Sequence, residues 1–405
     1  MDWKIFLLCV ISFNYLLNIF YDVLYINSSN RPTPLSLEYL TKDANYKKWM
    51  KYQKTINRHR LINDAITGIP IFILIYSDTF SAISDFVSDN YVCQLLLILG
   101  YLSVEHYFIS LPFGIYYTFK IESEYGFNRT KTRTFIFDGI IGLIFEFILN
   151  FGAALVFFTL YTYLNPYLAI ILCIFLLIVF IFILRFAFPY FQKIFNKFTP
   201  LEDCELKTKL LDLMNKNNFY IEGIYVVNAS KRSTKENAYF TGLGKSKRIV
   251  IYDTLIENYD VDDILAIFAH ELGHAKNKDN IKGIPLMIIE FSLMVVILYL
   301  FTLPKNLSYD FGFGNINYAI IYICFLETSE LLENFTGFIH NILSRKHEYA
   351  ADGFAAQNGF KEGLKKSLIK LYKRGYGYLN PNPILEFIKF SHPSLTKRID
   401  NINKS

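Results

Sequence analysis

Seven stretches of this chain are too long and too apolar for the interior of a small soluble domain, and they constrain the fold before any motif is considered. They run at roughly 3–26, 63–83, 91–117, 135–160, 166–188, 283–303 and 315–340. Each reaches the ~20 residues that carry a helix across a ~30 Å hydrocarbon layer. In lipid the backbone must satisfy its own hydrogen bonds, so these stretches are expected to be helices. Composition agrees, with 53% of the 405 residues hydrophobic and only 19% charged, more apolar than a soluble domain. The first stretch reads as a retained anchor, because its apolar run is of span length and no small-residue cleavage site follows it.

Loop charge tests that count independently. Segment 27–62 is rich in Lys and Arg, and loop 118–134 carries Lys120, Arg129, Lys131 and Arg133. Regions 189–279 and 341–405 hold many more. The loop near 84–90 holds only Asp85 and Asp89, the loop near 161–165 is uncharged, and 304–314 has one Lys and one Asp. Rich and poor loops alternate, which puts the N-terminus outside and both long hydrophilic regions on the cytoplasmic side. The pair 135–160 and 166–188 is the one part of this topology that also reads as a re-entrant hairpin.

The spans are not plain lipid anchors. Glu105, His106, Asp138, Glu146, Asn150, Glu290, Glu327, Glu330, Glu333 and His340 fall within them. Such groups are costly against lipid and are expected to face the bundle interior or water. Interhelical hydrogen bonds would account for some of them; a hydrated interior space reaching a catalytic site accounts for all. The five cysteines form no CxxC pair and suggest neither a disulfide framework nor a thiolate metal site. No aromatic-interleaved basic patch of the nucleic-acid-binding kind is present, so no nucleic-acid partner is expected.

Four blocks follow: residues 1–188 with five membrane helices and basic cytoplasmic loops, a hydrophilic 189–282, two more spans in 283–340, and a hydrophilic 341–405. In the second block, Tyr220–Val227 reads as a strand, and Asn237–Phe240 with Arg248–Tyr252 as a hairpin. After it comes His270-Glu-Leu-Gly-His274. Two histidines four apart leave one face of a helix and can hold one metal ion. Glu271, one step round, can reach a water activated by that ion without ligating it.

A catalytic zinc needs a third protein ligand and an open position. The best source is Ser344-Arg-Lys-His-Glu-Tyr-Ala-Ala-Asp352, where Glu348 and Asp352 are four apart on an expected helix. One of them can ligate while the other orients a ligating imidazole. His347 is adjacent to Glu348 and points to a different face.

Taken together, these residues resemble the integral-membrane type I CAAX prenyl proteases. The likeness continues in Leu111-Pro-Phe-Gly, Glu124-Tyr-Gly-Phe-Asn128, Asn237-Ala-Tyr-Phe, Lys247–Leu255 and Ser391-His-Pro-Ser-Leu395 with Arg398, from about Ser36 to Ile402. It implies a mainly α, multi-pass protein of about seven membrane helices enclosing a water-filled chamber. It implies further that a cytoplasmic zincin-like metalloprotease domain with a small β-hairpin caps that chamber. It implies one Zn2+ held by His270, His274 and Glu348, with Glu271 as general base and Asp352 in support. Asn237 and Ala238 would hold the substrate backbone, and His392 and Arg398 would stabilise the oxyanion; the residues alone do not reveal these four. The short chain and its 27–62 loop look like bacterial relatives, so the expected membrane is the bacterial cytoplasmic one, or the endoplasmic reticulum in a eukaryote.

The expected reaction is peptide hydrolysis, either of prenylated C-terminal CAAX sequences or as broader membrane-protein turnover without a prenyl requirement. An ion channel or transporter is the competing class, since intramembrane carboxylates also mark ion paths; the complete metal constellation argues against it.

Overall fold

The computed structural model describes residues 2–87, 90–242 and 247–405; Asp89 and the hairpin tip at 243–246 lie outside the described residues. Among the described residues, five helices are long and apolar enough to cross a membrane: Trp3–Asn30, Tyr91–Tyr125, Thr132–Tyr163, Pro166–Leu184 and Asp279–Phe301. The helix Thr132–Tyr163 has 32 residues, about 48 Å at 1.5 Å per residue. It and its successor are therefore full-length helices, not a re-entrant pair.

The other two expected spans take different forms. Stretch 63–83 is divided among Tyr46–Thr67, Ile69–Tyr76 and Thr79–Ser84. Pro70 enters at the first turn of the middle piece, and Asp78 holds a left-handed conformation (φ 52) that interrupts the next. Stretch 315–340 lies inside one 38-residue helix, Tyr318–Ala355, which continues through 340 without a break. At 1.5 Å per residue it is about 57 Å long, so a single rod joins the membrane bundle to the Glu348 region.

The intramembrane polar residues divide between interhelical hydrogen bonds and the wall of a cavity. Asn14 Nδ2 donates to the Glu327 carbonyl and Asn18 Nδ2 to Glu330 Oε1, each at 2.9 Å, and Lys389 Nζ donates to Asn334 Oδ1 at 2.7 Å. Ser329 and Glu333, on another side of the long helix, line a cavity of about 1680 Å³ walled largely by apolar side chains such as Phe157, Leu177 and Met294. Asn150 also faces that space, and His274 stands at its rim. Asp138 is held by the Arg232 fork, Nε to Oδ2 at 2.8 Å and Nη2 to Oδ1 at 3.0 Å.

Beyond the bundle lies a four-stranded sheet: β1 (Phe198–Pro200), β2 (Gly223–Val227), β3 (Ala238–Thr241) and β4 (Arg248–Tyr252), in the order β1-β2-β4-β3. The expected hairpin forms, with Ala238 opposite Ile251. The β2 strand begins at Gly223 instead of Tyr220, and it pairs in parallel with β4. The motif helix, Val261–Asn277, packs beside β3, with Phe240 edge-on to Phe268 at 5.9 Å. One hydrophobic core joins Ile249, Phe268 and Leu272 to Leu364, Leu395 and Ile402, and reaches Trp49, Ile121 and Phe127. A second core fills the bundle around Leu95, Phe158, Leu298 and Ile320.

A close backbone approach joins the motif helix to the long helix. A Cβ added at Gly273 would sit 2.9 Å from Ala351 Cα and 3.1 Å from Phe354 Cβ. Ala351 and Ala355 are fully buried on the facing side, so two small-residue surfaces let the backbones meet. Gly273→Ala should therefore cost about 1–3 kcal/mol through overpacking and lower the thermal midpoint in detergent. Gly142→Ala, whose added Cβ meets nothing within 4 Å, should leave it nearly unchanged.

Candidate metal centre

That close packing sets His270 and His274 against Glu348. The two Nε2 atoms are 3.1 Å apart; His274 Nε2 is 3.2 Å from Glu348 Oε1, and His270 Nε2 is 3.5 Å from Glu348 Oε2. Metal ligands at about 2.0–2.2 Å in a tetrahedral arrangement are separated by about 3.3–3.6 Å. The three groups therefore already lie on the edges of such a shell. Glu348 is 4% exposed, and among the described residues its Oε2 has no hydrogen-bond partner. Acceptors facing one another in a buried space repel unless a cation or protons lie between them, so these donors fit a divalent metal.

The outer nitrogens fix the direction of the inner ones. His270 Nδ1 stands 2.9 Å from Asp352 Oδ1, which places the proton on Nδ1 and leaves Nε2 with its lone pair. Asp352, fully buried, accepts from Arg398 Nε at 2.9 Å and Nη2 at 2.6 Å. Arg398 enters from the C-terminal helix Leu395–Lys404, and its Nη1 lies 3.3 Å from Glu348 Oε2. His392 Nε2 is 3.1 Å from Glu348 Oε1, with 59% of its side chain exposed, and Ser391 Oγ is 2.9 Å from its Nδ1. The structure thus brings His270, His274, Glu348, Asp352, His392 and Arg398 into one constellation.

Glu271 lies within electrostatic reach of both histidines, Glu348 and Arg398. Asn237 is exposed at the start of β3, its Oδ1 accepting from the Ala238 N–H at 2.9 Å; Ala238 is buried in the β3–β4 ladder. β3 is an edge of the sheet. His347, set aside at the sequence level, is not one of the three clustered donors; its Nε2 lies 3.6 Å from Asp279 Oδ1. Sequence reasoning passed over Asp279, whose Oδ2 is 2.9 Å from His274 Nδ1. Its position five residues past His274 was the available signal, but only the turn at Lys278 brings the carboxylate back. His59 is structural, stacked on Tyr116 and 3.1 Å from the Phe113 carbonyl.

The electrostatics divide the roles. Burial works against the Glu348 charge, yet hydrogen bonds from His274 and His392 and the Arg398 charge outweigh it and hold this carboxyl far below the ordinary range. Asp352 is likewise held low: burial opposes its charge, and His270 and Arg398 prevail. Burial pushes Glu271 up, as does Glu348, while the histidines and Arg398 pull it down; the net is a rise, which moves a general base toward neutral pH. Burial disfavours a charged His274, but Glu348 and Asp279 more than compensate, and its pKa is raised from 6.5 to about 9.

That proton stabilises the metal-free fold fully below about pH 6.5, and the contribution is lost as pH rises through about 9. A metal must displace it. Apparent affinity for a divalent metal, titrated into metal-free protein, should therefore rise close to tenfold per pH unit from about 6.5 to about 9 and then level off. A flat profile would contradict the shared-proton geometry.

The profile of Peptidase family M48 matches residues 200–405, and that of the CAAX prenyl protease N-terminal region, with five membrane helices, matches 22–197. A CAAX prenyl protease 1 homolog of Arabidopsis thaliana is 35% identical over 78% of this chain and 74% of its own. CAAX prenyl protease 1 of Saccharomyces cerevisiae is 33% identical over 76% and 72%. The crystal structure of S. mikatae Ste24p superposes with a TM-score of 0.91 at 26% identity, covering 100% of this chain and 99% of that one. With its metal-ligand cluster, membrane helices and matching profiles, the chain belongs to the type I CAAX prenyl proteases, membrane-embedded metalloproteases of peptidase family M48.

Proposed function

We propose that this protein is a zinc endopeptidase that removes the C-terminal tripeptide from prenylated proteins at the cytosolic face of its membrane. The observation that carries this reading is the convergence of His270, His274 and Glu348 beside Glu271, at the rim of a large and mostly apolar cavity. The relatives are named for CAAX prenyl protease activity, and an apolar cavity of about 1680 Å³ suits an isoprenoid tail.

Zinc fits the donor set of two imidazoles and one carboxylate; bound there, it supplies Lewis acidity, polarising the scissile carbonyl and lowering the pKa of water toward about 7. Glu271 takes the proton from the attacking water and returns it to the leaving nitrogen. Asp352, itself clamped by Arg398, holds His270 in the ligating tautomer. His392 and Arg398 supply positive charge near the developing oxyanion. β3, preceded by Asn237 and starting at Ala238, is an edge strand to which an extended substrate can add as a further strand. Residues 189–282 and 341–405 act as one catalytic unit, on a membrane part made of 1–188 and 283–340.

The sidedness rests on charge. Lys51 pairs with Glu124, Lys235 with Glu122 and Lys373 with Asp43, so the basic loops gather at the catalytic end. At the other end, Lys4 meets Asp78 and the Trp3 N–H meets Asp310, in loops poor in Lys and Arg. The basic end is the cytosolic one, in contact with membrane lipid around its rim.

Glu271→Gln should lower turnover on the order of 10²–10⁴-fold while one zinc per chain remains by metal analysis; His270→Ala should lose metal and turnover together. Substantial turnover by purified Glu271→Gln protein would refute the assigned base. With peptides of one sequence, the farnesylated form should be cleaved far faster than the unlipidated form. Equal rates would favour general peptide turnover without a prenyl requirement.

A further inference from the structure

We infer that Asp279 is a positioning residue for the metal: it fixes the tautomer and direction of His274. This rests on the reading of His274 as a ligand. The carboxylate is 8% exposed, and its Oδ2 lies 2.9 Å from His274 Nδ1. Among the described residues, His274 is the side chain's hydrogen-bond partner; Oδ1 accepts no hydrogen bond, with Lys282 Nζ at 3.5 Å and His347 Nε2 at 3.6 Å. A carboxylate buried this far needs a partner to offset its desolvation. The partner it has is the outer nitrogen of an imidazole whose inner nitrogen points at the candidate metal position.

Local backbone explains how a residue five past His274 returns to touch it. Lys278 adopts the left-handed region (φ 58), ends the motif helix and turns the chain, so that Asp279 opens the short turn Asp279–Lys282. A non-glycine residue in that conformation is strained, which the Asp279–His274 bond helps to offset.

The arrangement mirrors His270 with Asp352. Each imidazole turns Nδ1 to its own buried carboxylate, at 2.9 Å in both cases, and Nε2 to the shared centre. The two carboxylates come from different elements, one from the long helix and one from the turn after the motif helix. Neither imidazole therefore relies on the other's support. Asp279 also leaves the cluster with an excess of carboxylate over guanidinium, which favours a divalent cation.

The test uses full-length protein in detergent, stripped of metal by a chelator and titrated with zinc in competition with a fluorescent chelator. Asp279→Ala should weaken zinc binding about 10–100-fold, and Asp279→Asn, which can still accept from Nδ1–H but carries no charge, about tenfold. Cobalt(II) absorption supplies a second readout: loss of His274 orientation should alter the visible bands, which a defect only in the turn would leave in place. Asp279→Asn keeps the side chain's size, so it decides the matter if Asp279→Ala fails to fold. Zinc affinity within twofold of the parent, with unaltered cobalt bands, in Asp279→Asn would overturn the inference while the ligand assignment stands. If the parent chain itself fails to bind one zinc, the proposed ligand set falls, and this inference with it.

Discussion

The contact on which the site depends is the packing of Gly273 against Ala351. The motif helix carries His270, His274 and Glu271, the proposed donors and base, but Glu348 lies on the separate helix Tyr318–Ala355. Only a close backbone approach lets Glu348 reach the histidines, and that approach exists because one helix has no side chain where the other has a methyl group. Interiors pack without slack, so even one added methyl group must displace a helix. Because Tyr318–Ala355 is a single rod, the position of the third donor is tied to the membrane-embedded wall of the cavity. Catalytic and membrane parts are mechanically one piece.

Charge is managed with the same economy. Glu348 and Asp352 would each be costly so far from water, yet each is surrounded by imidazole and guanidinium groups that keep it ionised. Arg398 shows why the arrangement needs the C-terminal helix: its fork spans Asp352 while Nη1 reaches toward Glu348. Removing one partner of such a set leaves an uncompensated buried charge. Within the bundle the same logic appears as hydrogen bonds from Asn14 and Asn18 to the long helix, leaving Glu333 to face the cavity.

Some of this was written plainly in the chain. His270 and His274 declare a shared face by their spacing, and Glu348 with Asp352 does so again. The hairpin was legible because its strands are adjacent in sequence, whereas the parallel pairing of β2 with β4 joins strands that are not. Three-residue β1 has too little pattern to announce itself. The expected span at 63–83 fails as one helix because Pro70 and Asp78 act locally, against an apolar background that hydropathy averages over. The span expected to end near 340 marks only where the apolar run stops; the helix itself continues through Arg345 and Lys346 to Ala355. Asn237, Ala238, His392 and Arg398 were reached through resemblance alone, because a role created by tertiary approach leaves no periodic trace. Asp279 was missed for a related reason: a left-handed lysine cannot be read from spacing.

The most direct measurement of the central claim is anomalous X-ray scattering at the zinc edge from crystals of the purified protein. Expected is one peak per chain, about 2.0–2.2 Å from His270 Nε2, His274 Nε2 and a Glu348 carboxylate oxygen. A fully loaded chain with its peak elsewhere, or with Glu348 outside the ligand shell, would contradict it.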